Sequence, residues 1–130
     1  MGQWIELTAA DGRTISAWRA EPKDRPRGGL VVVQEIFGVN SHIRSVCDGY
    51  AADGYLAVAP ALFDRSRPRV ELGYAPDDIE RGRELKAKAT LEHALADVAA
   101  ARDAAAAAGK VGIVGYCWGG TIAFLASTRL

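Results

Sequence analysis

The sequence predicts an α/β fold, a mostly parallel sheet with helices on both faces, and three observations carry that expectation. Apolar, strand-like runs at 30–34, 55–60 and 110–115 alternate with helical stretches, the order expected of βαβ units. A hairpin pattern precedes the first of them. The last run leads through Gly115-Tyr116-Cys117-Trp118-Gly119 straight into a further apolar helix.

Taken in order, "WIELTAADGRTISAWRA" reads as a β-hairpin, because alternating segments flank Asp11-Gly12, residue types that tolerate the positive φ of tight turns. Residues 21–29 are polar and rich in proline and glycine, hence a loop. "LVVVQ", 30–34, is a continuous β-branched run, the pattern of a strand buried on both faces. A helix follows over 41–54. Ile43, Val46, Cys47 and Tyr50 share one face, and Gly54 suits its C-terminal cap. "YLAVAP" is the second buried strand. A loop over 60–76 precedes a helix starting near Asp77, with Glu80 at capping-box spacing. Helical character then runs to Gly109, and Gly82 and Thr90 are the candidate points of division. The "AAAAA" within it is high helix propensity. Lys110–Gly115 reads as a third buried strand, and a helix begins at Trp118. With no internal repeat or composition break, 1–130 is read as one domain.

Bulk properties narrow the function classes. Sixteen basic residues balance sixteen acidic ones, which gives no electrostatic reason to expect nucleic acid or an anionic membrane as partner. No apolar stretch approaches the roughly 18–20 residues of a membrane helix, and the first residues lack the pattern of a signal peptide. Cys47 and Cys117 lie in different contexts and suggest no disulfide framework. The expectation is a cytoplasmic protein. No G-x-G-x-x-G or P-loop pattern is present, and no metal or organic cofactor is implied.

Cys117 has the form G-x-nucleophile-x-G between a strand and a helix, the context a nucleophile elbow requires. A sharp turn there presents the side chain outward. The helix N-terminus beneath the sulfur favours the thiolate, the reactive form. The Trp118 N–H would face a developing oxyanion. Glu35 closes an otherwise apolar strand at its carboxyl end, where open α/β sheets bind ligands. If its strand neighbours that of Cys117, about 4.8 Å away, Glu35 can take the thiol proton. The Ile36 N–H is then the candidate second oxyanion donor.

"QEIFGVN", "APALFDR" and "GYCWGG" together make the chain resemble the dienelactone hydrolases (carboxymethylenebutenolidases), of the α/β-hydrolase fold. The resemblance covers nearly all 130 residues. It implies hydrolysis of a small-molecule ester or lactone by a cysteine nucleophile in a Cys-His-Asp triad, through an acyl-thioester. Cys117 matches the nucleophile, Glu35 the glutamate that contacts the resting thiol, and Ile36 and Trp118 the oxyanion amides. Arg83 is the preferred match, and Arg81 the next, for an arginine that holds a substrate carboxylate. The aromatic residues expected after it are absent, with Ala87 and Thr90 near those positions, so the substrate pocket departs from the family's pattern.

Thirteen residues follow Cys117, and none is Asp, Glu or His. The triad partners of this fold come after the nucleophile, so the sequence reads as an N-terminal half, cut short after the elbow. His42 and His93 both fit exposed helical positions. The strand "VGIVG" becomes an uncovered sheet edge, which self-association would relieve. Two other function classes stand beside hydrolysis: a non-catalytic half-domain acting in assembly or binding, and a redox-responsive thiol at Cys117.

Overall fold

The computed structural model describes residues 2–130. In chain order the elements are β1 (Gln3–Thr8), β2 (Thr14–Ala20), β3 (Gly28–Val33), α1 (Ser41–Ala52), β4 (Tyr55–Pro60), α2 (Pro76–Lys88), α3 (Leu91–Ala105), β5 (Val111–Gly115) and α4 (Trp118–Arg129). The strands form one sheet in the order β1-β2-β4-β3-β5. β4, β3 and β5 are mutually parallel, and the β1–β2 hairpin joins them antiparallel through β2. The result is a mixed sheet with an antiparallel margin on a parallel set.

The hairpin turns at Gly12, which takes φ 88° while its N–H donates to the Ala9 carbonyl at 2.9 Å. In β3, Val31 and Val33 face a layer built by α3 and α4, and Val32 faces α1. Burial on both sides is what its unbroken β-branched run encodes. On one face Val98, Ala101 and Ala105 of α3 and Ile122 and Ala126 of α4 pack against Val31, Val33 and Val58. On the other, Ile43, Cys47 and Ala51 form the apolar stripe of α1, four residues apart. Asn40 caps that helix, its Oδ1 accepting from the Ile43 N–H at 3.1 Å. Cys47 is wholly buried, as a core residue should be.

Three local expectations are corrected. The cap of α2 is Ala75, with Pro76 at the first helical position; Asp77 and Glu80 do not form the box. Proline's fixed φ suits that first position. Ala75 has no side-chain acceptor, so only the return half of a capping box forms, the Asp78 carboxylate accepting from the Ala75 N–H at 3.1 Å. The long helical stretch divides at Thr90, whose Oγ1 accepts from the His93 N–H, whereas Gly82 lies inside α2. β5 is not a buried strand. It is the free sheet edge, paired only with β3, with Gly112 exposed and its other residues part-exposed. An apolar depression lined by Val98, Val111, Ile113 and Leu130 opens beside it.

A buried ion pair fastens the loop after β4 to α3. The Arg65 guanidinium, 10% exposed, donates to both carboxylate oxygens of the fully buried Asp97 at 2.8–3.2 Å, and it also reaches Asp11 in the hairpin turn. Among the described residues, no helix is long and apolar enough to cross a membrane.

Candidate active site

At the end of β5 the Tyr116 N–H donates to the Val33 carbonyl at 3.2 Å, extending the ladder one step. The chain then turns sharply. Cys117 takes φ 58°, ψ −119°, and its side chain is exposed at the start of α4. A non-glycine residue in that region costs on the order of 1–3 kcal/mol. Burying Ile122, 3% exposed on the α4 face that meets the sheet, returns roughly 1.5–3 kcal/mol, so packing of α4 suffices to hold the turn. The helix comes this close because residue 119 is glycine: a Cβ there would run into the Val33 and Gln34 carbonyl oxygens.

β3 delivers the second group. Val33 pairs with Gly115, so Glu35 and Cys117 emerge from adjacent parallel strands at the same end of the sheet. The neighbour relationship on which the sequence reading depended is therefore present. The half-buried Glu35 carboxylate accepts from the Tyr74 hydroxyl at 2.7 Å. Tyr74 in turn accepts from Asn40 Nδ2 at 3.3 Å and meets the Phe37 ring edge-on at 4.6 Å. Burial of its hydroxyl end and the bond to Glu35 push the Tyr74 phenol above its ordinary range.

The segment after Glu35 is clamped from several sides. The Phe37 carbonyl accepts from Leu72 N–H at 2.9 Å, and Asn40 Nδ2 donates to the Leu72 carbonyl at 2.9 Å. α2 rests on the Ile36 carbonyl at Gly82, where any side chain would clash. The buried Gln34 side chain holds the Glu35 carbonyl at 2.9 Å. Among the described residues, neither the Ile36 nor the Trp118 N–H donates to a protein acceptor. Two free amides thus flank the strand ends that carry Glu35 and Cys117.

Arg81 and Arg83 are exposed on α2, one on each side of Gly82. Neither is bonded to Glu35, whose carboxylate is taken by Tyr74. His42, in the first turn of α1, lies 6.4 Å from the Tyr74 ring, centroid to centroid. His93 is remote, its Nε2 3.9 Å from Asp11 Oδ2 near the hairpin turn. No group of three His, Cys, Asp or Glu side chains is gathered as a metal site among the described residues.

An exposed cysteine in a strained strand-to-helix turn, a carboxylate on the next strand and two free amides coincide with a family-wide pattern. The model of the Dienelactone hydrolase family matches residues 15–130. The chain belongs to this family. Its dienelactone hydrolase relatives include the carboxymethylenebutenolidase of Pseudomonas putida, 38% identical over 133 residues that cover 96% of this chain and 55% of that protein. A crystal structure from Klebsiella pneumoniae subsp. pneumoniae, assigned as a dienelactone hydrolase, superposes with TM-score 0.80 at 35% identity, covering 100% of this chain and 56% of that one. An esterase of Pyrococcus furiosus, at 13% identity and TM-score 0.65, shares the fold over 100% of this chain and 47% of its own. The fold is that of the α/β-hydrolases. The chain spans about half the length of the curated dienelactone hydrolase relatives it matches.

Sequence reasoning missed three members of the site. Tyr74 stood in a loop as one aromatic among several possibilities, and only the fold brings it to Glu35. Asn40 carried a visible signal as a helix cap, though not its second role through Nδ2. Gln34 could have been found: an amide closing an apolar strand must find partners if it is buried.

Proposed function

We propose that this chain carries the nucleophile half of an ester or lactone hydrolase acting on dienelactone-type substrates, with Cys117 as nucleophile. The observation that carries the reading is the backbone of Cys117, held at positive φ and exposed at the head of α4. A structural cysteine gains nothing from that strain; an attacking sulfur gains access and a helix N-terminus beneath it.

In the proposed reaction Glu35 accepts the thiol proton. The Cys117 sulfur forms a bond to the acyl carbon, and the carbonyl π pair moves to oxygen. The Ile36 and Trp118 amides donate to that oxyanion, the preorganised stabilisation that acyl transfer uses most. Collapse expels the alcohol or ring oxygen and leaves an acyl-thioester. Water then adds to the thioester carbonyl and expels the thiolate. Arg83, or Arg81 on the other side of Gly82, supplies a cation for a substrate carboxylate. The Dienelactone hydrolase family match and the carboxymethylenebutenolidase relatives support the substrate class.

The test is intact mass after brief exposure to an activated ester, with Cys117→Ala as control. A single acyl adduct, absent from the variant, is the expected result. A folded chain without that adduct would sink the reading. Loss of the adduct with time would show that a base for water is at hand; persistence would show acyl transfer without one.

A second reading, assembly through the sheet edge, rests on the free β5 and on Phe124, an α4 residue 69% exposed. Sedimentation velocity across a concentration series tests it. A monomer throughout would reject it.

A further inference from the structure

Gln34 is fully buried at the end of β3, and both ends of its amide are engaged. Oε1 accepts from the Leu62 N–H at 2.9 Å, and Nε2 donates to the Glu35 carbonyl at 2.9 Å. We propose that Gln34 is a positioning residue for acyl transfer: by holding the Glu35 carbonyl inward it orients the Ile36 N–H as an oxyanion donor. This role rests on the reading of Cys117 and Ile36 proposed above.

The physical chain is short. A trans peptide is planar, with its carbonyl and N–H on opposite sides. Fixing the Glu35 carbonyl toward a fully buried side chain therefore turns the Ile36 N–H away from the interior, at the carboxyl end of the sheet. The neighbouring carbonyls are held by other means. Those of Val33 and Gln34 lie against Gly119, that of Ile36 against Gly82, and that of Phe37 accepts from the Leu72 N–H. Among the described residues, the Glu35 carbonyl is the one in this run that depends on a side-chain donor. Without the donor it is a polar group short of a partner, and the peptide turns to find one, carrying the Ile36 N–H with it. The plain alternative is that Gln34 only ties β3 to the loop after β4 through Leu62.

Two reactions at one sulfur separate these roles. Acylation by p-nitrophenyl acetate forms the S–C bond through a tetrahedral oxyanion and releases p-nitrophenolate. Alkylation by iodoacetamide forms the S–C bond at a saturated carbon and releases iodide, with no oxyanion. In Gln34→Met, acylation of Cys117 should fall about ten- to a hundredfold while alkylation stays within about twofold. Equal loss of both rates, or loss of neither, overturns the proposal.

If Gln34→Met does not fold, hydrogen exchange in the unsubstituted chain, followed by NMR, decides. Slow exchange of the Gln34 side-chain amide protons beside a fast Ile36 amide is expected. Rapid exchange of the Gln34 amide overturns the positioning role. An unsubstituted chain that is alkylated but never acylated at Cys117 defeats the hydrolase reading, and this role with it. Gln34 exchange still reports the bond separately, so the two failures are distinguishable.

Discussion

Glu35 and Cys117 occupy matching positions on neighbouring parallel strands, each two residues beyond the Val33–Gly115 pair. This places a proton acceptor beside a sulfur without either residue leaving the backbone geometry of its own strand end. Glu35→Gln keeps the size and loses the acceptor. Alkylation of Cys117 at neutral pH should then slow about a hundredfold, the lower range for a lost general base. Pseudo-first-order iodoacetamide kinetics measure this, and an unchanged rate would remove Glu35 from the mechanism.

The two thiols should behave as different species. Cys117 is exposed, whereas burial, with the Asp48 charge adding to it, pushes the Cys47 thiol up to about 12. Native protein should take up one equivalent of iodoacetamide, on Cys117, and denatured protein two. Peptide mapping identifies the site.

Gly119 and Gly120 are adjacent on α4 yet should respond oppositely to alanine. A Cβ at 119 meets the Val33 and Gln34 carbonyls, so Gly119→Ala should destabilise by about 1–3 kcal/mol or more. At 120 the nearest neighbour is the Gly115 carbonyl oxygen at 3.6 Å, an ordinary contact. There the helix should gain about 0.5–1 kcal/mol. Urea unfolding midpoints check both signs.

Removing Arg65 leaves the Asp97 carboxylate buried without its partner. Arg65→Ala should cost about 3–5 kcal/mol, the usual penalty for breaking a buried pair from one side. Replacing both, as Arg65→Met with Asp97→Leu, should recover most of that loss, and the four-member cycle of unfolding free energies gives the coupling.

Acid should act through Asp11. The Arg65 hydrogen bond holds its carboxyl down at about 2, below the ordinary 3.8. A carboxyl lowered on folding contributes stability above its unfolded value, and that contribution is lost as pH falls from about 4 toward 2. Asp97 acts with the opposite sign, because burial raises its carboxyl. Asp11→Asn should therefore lose less stability than the parent between pH 4 and 2, measured as urea midpoints. A parallel decline would refute the assignment.

Much of the site was legible because its signals are local. The glycines at 115 and 119 and the carboxylate closing 30–34 each follow from one stretch of chain and one strand end. Tyr74 was not legible as Glu35's partner, because 39 positions separate them and only the clamp of 71–74 onto 37–40 joins them. The α2 cap was misplaced because Pro76 outweighs the acidic spacing that pointed to Asp77 and Glu80. β5 was read as buried because its apolar run is the same whether a strand lies inside a sheet or at its edge; position is set by pairing.

The amino-acid sequence by itself determined the alternation of strands and helices, the elbow at Cys117 and the family. These depend on periodicity, glycine spacing and residue chemistry within short windows. Tertiary structure alone decided that β3 lies between β4 and β5, that Tyr74 and Gln34 engage Glu35 from opposite ends of the residue, and that β5 is left as the edge. The reason is physical: strand order and long-range hydrogen bonds arise from which apolar faces bury together, and no single segment of the chain contains that choice.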